Sequence, residues 1–158
     1  MGTEIERKFR VRDDCWREGV RGVYYRQGYL QAERERTVRV RLAGNTGWLT
    51  IKGETRGVTR SEFEYPIPPE DAAALLDELC DRPQIEKYRY RVEHDGHVWE
   101  IDEFLGDNAG LVIAEVELAS ADERFSRPPW LGEEVSDDPR YFNANLVRHP
   151  WRDWPENA

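Results

Sequence analysis

The chain has 158 residues, 39% hydrophobic and 35% charged, a size and composition that suit one domain (residues 1–158) around one core. Lys and Arg total 23 against 32 for Asp and Glu, so the formal charge of -9 excludes a diffuse electrostatic grip on nucleic acid, and an anionic substrate needs a locally cationic site. No apolar run approaches the roughly 20 residues that cross a bilayer, residues 1–8 are charged, and Cys15 and Cys80 form neither a CxxC pair nor a disulfide framework, so the expectation is a cytoplasmic protein with free thiols and no membrane or nucleic-acid partner.

Period-two alternation predicts strands at residues 4–11, 23–31, 37–42, 48–52, 58–65, 87–94, 98–104 and 110–118, joined in places by turns such as Gly44-Asn45 and Asp95-Gly96. About eight strands are enough to close a barrel around a narrow interior, so the class is mostly β (α+β), a closed barrel with flanking helices. A helix is predicted over residues 69–82, where Ala72, Leu75, Leu76 and Leu79 recur at helical spacing behind an acidic first turn, and it should cover one side of the barrel. A second is predicted after Asp138 as N-cap and Pro139 as first helical residue, running until Pro150 and packing on the sheet. The segment Arg127-Pro128-Pro129 reads as a loop, and the tail from Trp151 as a fraying terminus.

An ordinary strand with one face in water carries mixed charges there, with no pattern shared between strands. This chain repeats one pattern on strand after strand. Glu4, Glu6 and Lys8 share a face, as do Arg39 and Arg41, Glu62 and Glu64, Lys87, Arg89 and Arg91, Glu100 and Asp102, and Glu115 and Glu117, with Lys52 alone on its strand. The intervening positions are often apolar: Ile5, Val38, Val40, Ile51, Phe63, Val92, Trp99, Ile101, Val116 and Leu118. If helices and loops cover that apolar face, the charged face points inward and lines a tunnel in which acids and bases nearly balance. Arg39, Arg41, Lys52, Lys87, Arg89 and Arg91 then present several cations to a run of phosphates. Glu4, Glu6, Glu115 and Glu117 form an acidic pole suited to one or two hard divalent cations such as Mg2+ or Mn2+ that bridge carboxylates to substrate phosphates.

At Glu4-Ile5-Glu6-Arg7-Lys8 the chain carries a Glu-x-Glu-x-Lys signature. It is followed in order by Val38-Arg39-Val40-Arg41, Thr50-Ile51-Lys52, Glu62-Phe63-Glu64-Tyr65, Ile85-Glu86-Lys87, Trp99-Glu100-Ile101-Asp102 and the run Gly110 to Leu118. In this ordered set the chain resembles the CYTH family, the triphosphate tunnel metalloenzymes, and its compact length is similar to that of the short bacterial inorganic triphosphatases. The resemblance implies an eight-stranded antiparallel tunnel that binds a triphosphate with a divalent metal and hydrolyses its terminal phosphoanhydride. It implies phosphate contacts from Lys8, Arg39, Arg41, Lys52, Lys87 and Arg89, and metal binding by Glu4, Glu6, Glu115 and Glu117. Glu62, Glu64 and Asp102 orient the bases or hold a second metal through water. Lys8, Tyr29 and Glu117 are the candidates for a catalytic role, Tyr29 because Gln27-Gly28-Tyr29-Leu30 resembles a segment in which a tyrosine approaches the signature lysine; the alternative for Tyr29 is packing. Class IV adenylate cyclases and thiamine or nucleoside triphosphatases share the family, and a noncatalytic polyphosphate binder would use the same cradle. The sequence leaves the oligomeric state open, a homodimer included.

Overall fold

Strands that alternate charged and apolar residues need two different environments. The computed structural model, which describes residues 2–157, provides them by rolling the sheet into a cylinder. The strands are β1 (Gly2–Val11), β2 (Val23–Ala32), β3 (Arg36–Ala43), β4 (Thr46–Gly53), β5 (Thr59–Ile67), β6 (Ile85–His94), β7 (His97–Phe104), β8 (Val112–Glu117) and β9 (Leu131–Glu134). Helix α1 (Pro69–Glu78) follows β5, and α2 (Asn143–Arg148) follows β9. Antiparallel pairing runs in the order β5-β4-β3-β2-β6-β7-β8-β1, and β5 pairs with β1 to close the barrel. β1 is the seam. Its residues 6–10 pair with β8, residues 2–5 pair with β5, and Phe9 and Val11 pair with β9.

All the predicted strands form, with ends that move by no more than two residues. The β6–β7 hairpin turns through Asp95 (φ 45°) and Gly96 (φ 83°), the pair of left-handed residues that a two-residue turn between twisted strands needs. β9 was not expected. Its sequence Leu131-Gly132-Glu133-Glu134 has no alternation, and it exists because β5 leaves the edge of β1 unpaired beyond residue 5. A Cβ on Gly132 would lie 3.0 Å from the Arg10 carbonyl oxygen, so the close approach of the two backbones uses glycine.

The outer apolar face is covered in two places. Phe9, Trp99, Ile101, Ala114 and Val116 pack under Trp16 and Val20 of the β1–β2 connection and under Phe125 and Trp130 of the β8–β9 connection. α1 lays Ala72 and Leu76 on Val40 of β3 and Leu49 of β4. It ends at Glu78 rather than residue 82, because the Asp81 amide donates to the Tyr29 carbonyl at 2.9 Å and leaves the helical ladder. Cover is not complete, contrary to expectation. Ile51 (38% exposed) and Phe63 (48%) are register neighbours on the outer face of β4 and β5.

The second helix also differs. Asp138 does cap, its carboxylate accepting from the Arg140 amide at 3.1 Å, but Pro139–Tyr141 makes only a 3-10 turn. Phe142 is extended (ψ 134°), and α2 starts afresh at Asn143. Beyond that break helix α2 packs on the sheet, as expected, against its inward face at one end of the barrel. There Tyr29, Ile85, Phe104 and Ile113 meet Tyr141, Leu146, Val147 and Trp154 in an apolar plug. The tail does not fray: Trp154 is 1% exposed and stands edge-on to Tyr141, ring centroids 4.9 Å apart. Among the described residues no helix is long and apolar enough to cross a membrane, and Cys15 and Cys80 are both free thiols.

Candidate active site

Barrel closure sorts the charged staves by sign. β3 and β6, which carry Arg39, Arg41, Lys87 and Arg89, flank β2 on one wall. β5 and β8, which carry Glu62, Glu64, Glu115 and Glu117, flank β1 with Glu4 and Glu6 on the opposite wall. β4 and β7 separate the walls with Lys52 on one side and Glu100 and Asp102 on the other. Directly opposed residues of antiparallel strands face the same side of the sheet, so Glu6 opposite Glu117 and Lys8 opposite Glu115 project into the lumen together.

On the acidic wall, like charges compress. Burial and the neighbouring Glu115 and Glu4 hold Glu6 well above the ordinary carboxylate range. Glu115 is held well below it: burial opposes ionisation, but Lys8, the Glu6 carboxyl and Arg89 outweigh burial. Its oxygens lie 3.9 Å from Lys8 Nζ and 3.6 Å from Arg89 Nη2. Burial and the neighbouring Glu4, Glu62 and Glu100 push Glu117 up. Glu4 stays ionised despite burial because Lys52 Nζ donates to both its oxygens at 3.0 and 3.1 Å. Lys52 also lies 3.4 Å from Glu62, whose own carboxyl burial and Glu4 push up.

On the basic wall, like charges crowd without enough counter-charge. Asp102, fully buried, accepts from Lys87 Nζ at 2.8 Å and from Arg89 Nε and Nη2 at 2.7 and 2.8 Å. Even so, burial together with Arg89 and Arg41 brings Lys87 down to about 7, against the pull of Asp102. Arg41 is lowered to about 10 by burial, Arg39 and Arg89, and no carboxylate pairs with it among the described residues. Arg39 spends one terminal nitrogen on Thr50 (3.2 Å) and Glu64 (3.4 Å), and its buried Nε has no partner. The guanidinium groups of Arg41 and Arg89 lie over Tyr25, 5.0 and 5.1 Å from the ring centroid.

The expected residues therefore gather in one lumen, with two qualifications. Tyr29 sits in the apolar plug, while the Lys8 ammonium is held by the Tyr141 carbonyl (3.3 Å), by Glu115 and over the Phe142 ring (5.4 Å). Arg91 stands at the rim, its side chain 68% exposed and 3.3 Å from Glu100. Sequence reasoning missed Arg60, which opposes Glu4 across the β1–β5 seam and feels Glu4 and Glu6. It also missed Thr50, Gln27 and Asn143. Arg60 could have been found, since it stands two residues before Glu62 on the same face.

The carboxylates of the acidic wall offer oxygen, the donor that hard divalent cations take, and the raised Glu6 carboxyl beside Glu115 marks a place where negative charge is crowded. The donor set fits such a cation in kind. Among the described residues no group of three or more carboxylate, histidine or cysteine side chains is gathered tightly enough to hold an ion, because Glu4 turns to Lys52 and Glu115 to Lys8 and Arg89.

Residues 2–149 match the CYTH domain family. The chain is 48% identical over 156 residues to an inorganic triphosphatase of Acetivibrio thermocellus, covering 99% of this chain and 100% of the relative. It is 38% identical over 150 residues to an inorganic triphosphatase of Nitrosomonas europaea, covering 92% and 97%. A solved structure described as an inorganic triphosphatase superimposes with a TM-score of 0.66 at 36% identity, over 93% of this chain and 95% of that one. With the family's match spanning nearly the whole chain and its ordered charged staves facing one lumen, this protein belongs to the CYTH family.

Proposed function

We propose that the protein hydrolyses the terminal phosphoanhydride of inorganic tripolyphosphate with the help of Mg2+ or Mn2+. The observation that carries this reading is the opposition of the two walls: a cationic wall short of counter-anions faces an acidic wall short of cations. A metal-complexed short polyphosphate supplies both. Two relatives named inorganic triphosphatase, matched over almost their full lengths, support the same substrate.

Arg39, Arg41, Lys87 and Arg89 bind and align the phosphate chain, with Lys8 joining from the acidic wall and Lys52 from β4 between the walls. Asp102 orients Lys87 and Arg89, Glu64 and Thr50 orient Arg39, and Glu62 together with Glu4 orients Lys52. Glu4, Glu6, Glu115 and Glu117 would hold the divalent cation, which when bound supplies charge neutralisation and Lewis acidity at phosphate oxygens. Glu117, the exposed member of this group, would take a proton from an attacking water. Water adds to the terminal phosphorus, the bond to the bridging oxygen breaks, and pyrophosphate and orthophosphate leave. No protein nucleophile is needed, since positioning and preorganised charge lower the barrier to phosphoryl transfer. Free thiols at Cys15 and Cys80 fit a reducing, cytoplasmic setting.

The test is product analysis by phosphorus NMR, with tripolyphosphate and ATP supplied separately in Mg2+ and in Mn2+. Orthophosphate released faster from tripolyphosphate than from ATP is the expected result. Cyclic AMP with pyrophosphate from ATP, or saturable binding without release of phosphate, would overturn it.

A further inference from the structure

Two neutral side chains join the cations of the basic wall. Arg41 Nε donates to Gln27 Oε1 at 3.0 Å, Gln27 Nε2 donates to Asn143 Oδ1 at 3.0 Å, and Lys87 Nζ donates to that same Asn143 oxygen at 2.9 Å. The donors fix which way each amide faces: Gln27 must present oxygen to the guanidinium and nitrogen to Asn143, and Asn143 must present oxygen to both its donors. Gln27 comes from β2, between the strands of Arg41 and Lys87, and is fully buried. Asn143 is the first residue of α2, delivered into the barrel end by the extended break at Phe142.

A cation can be held in place by a carboxylate or by an amide oxygen, and the two differ in what they leave behind. A carboxylate fixes the cation and cancels its charge, whereas a neutral acceptor fixes it and leaves the charge to attract an anion. Arg89 is held in the first way, by Asp102, Glu100 and Glu115. Arg41 is held wholly in the second, and Lys87 in both. We propose that Asn143 and Gln27 are positioning residues that set the separation of Arg41 and Lys87 while sparing their charge for the substrate, so that the α2 cap is part of the phosphate site. This rests on the triphosphatase reading and extends it to residues outside the charged pattern.

Asn143→Asp is the discriminating variant, because it keeps the shape and the acceptor but adds the charge that the site avoids. Tripolyphosphate binding measured by calorimetry without divalent metal should weaken at least tenfold, KM should rise by more than kcat falls, and the thermal midpoint should equal or exceed that of wild type, since the new carboxylate pairs with Lys87. Gln27→Glu, which places a carboxylate directly on Arg41, should weaken binding likewise, and it carries the test if Asn143→Asp fails to fold. Wild-type affinity in folded Asn143→Asp or Gln27→Glu would overturn the proposal, as would a lowered midpoint with unchanged affinity, the mark of a merely structural role. Wild-type protein that neither binds nor hydrolyses tripolyphosphate would instead sink the triphosphatase reading.

Discussion

Replacing Asp102 by Asn should be among the most damaging isosteric changes available in the barrel. The carboxylate has no exposure and accepts three charge-assisted hydrogen bonds, from Lys87 Nζ and from Arg89 Nε and Nη2, at 2.7 to 2.8 Å. An amide keeps one of the acceptor atoms, turns the other into a donor aimed at the cations, and leaves Arg89 with only its longer contacts to Glu100 and Glu115 and Lys87 with only the neutral Asn143. Removing one partner of a buried ion pair costs about 3–5 kcal/mol. In a chain of this length each kcal/mol moves the thermal midpoint by about 2–4 °C, so the expected fall is roughly 6–20 °C. The pH dependence has a definite sign. Burial alone would raise the Asp102 pKa, but Arg89 and Lys87 hold it below the usual 3.8. Its contribution is therefore complete above the unfolded value and disappears as pH falls through the depressed folded one, so wild type and variant should converge in acid. Tripolyphosphate should partly rescue the variant by returning negative charge to the same cations. Urea denaturation at pH 7 gives the number, and a loss under about 1 kcal/mol, the range of an exposed ion pair, would refute the counter-charge role.

Arg41→Ala should behave in the opposite way, with binding of tripolyphosphate weakened at least tenfold and the thermal midpoint unchanged or raised, because the cation lost has no carboxylate partner among the described residues; a collapse of stability would contradict this. Lys87 should take up a proton when substrate binds. Its folded pKa of about 7 lies below the unfolded 10.5, so between those values the free protein lacks a proton that an anion would restore, and the same deficit makes Lys87's contribution to stability rise with pH across that window. Calorimetry at pH 8 in buffers of different ionisation enthalpy should detect that uptake, and identical heats would exclude it. Trp154→Ala should cost about 3–5 kcal/mol, as expected for a buried aromatic in a packed core, whereas a cost near zero would return the tail to the status of a fraying end.

Much of the site was legible because charge alternation at period two is a pattern that only a closed sheet with a charged lumen satisfies on so many strands at once. Glu4, Glu6, Arg39, Arg41, Lys87, Arg89, Glu115 and Glu117 all follow from it. What stayed hidden lacked either charge or locality. Gln27 is neutral and reads like any interior strand residue. Asn143 reaches Lys87 from 56 residues away, a contact that depends on the break at Phe142, where extended backbone interrupts an apparently continuous helix signal. β9 has no periodicity of its own and is created by a free edge, and Trp154 owes its burial to Tyr141 rather than to its polar neighbours in sequence. The sorting of acids and bases onto opposite walls was likewise invisible strand by strand, because it depends on which strands become neighbours when the barrel closes.

Hydrolysis of tripolyphosphate in oxygen-18 water with Mg2+, followed by mass spectrometry of both products, tests the central claim most directly. Attack on the terminal phosphorus puts the label in orthophosphate and leaves pyrophosphate unlabelled, the expected result. Label in pyrophosphate would mean attack on the central phosphorus, and no release of phosphate would mean that the two walls hold a polyphosphate without cleaving it.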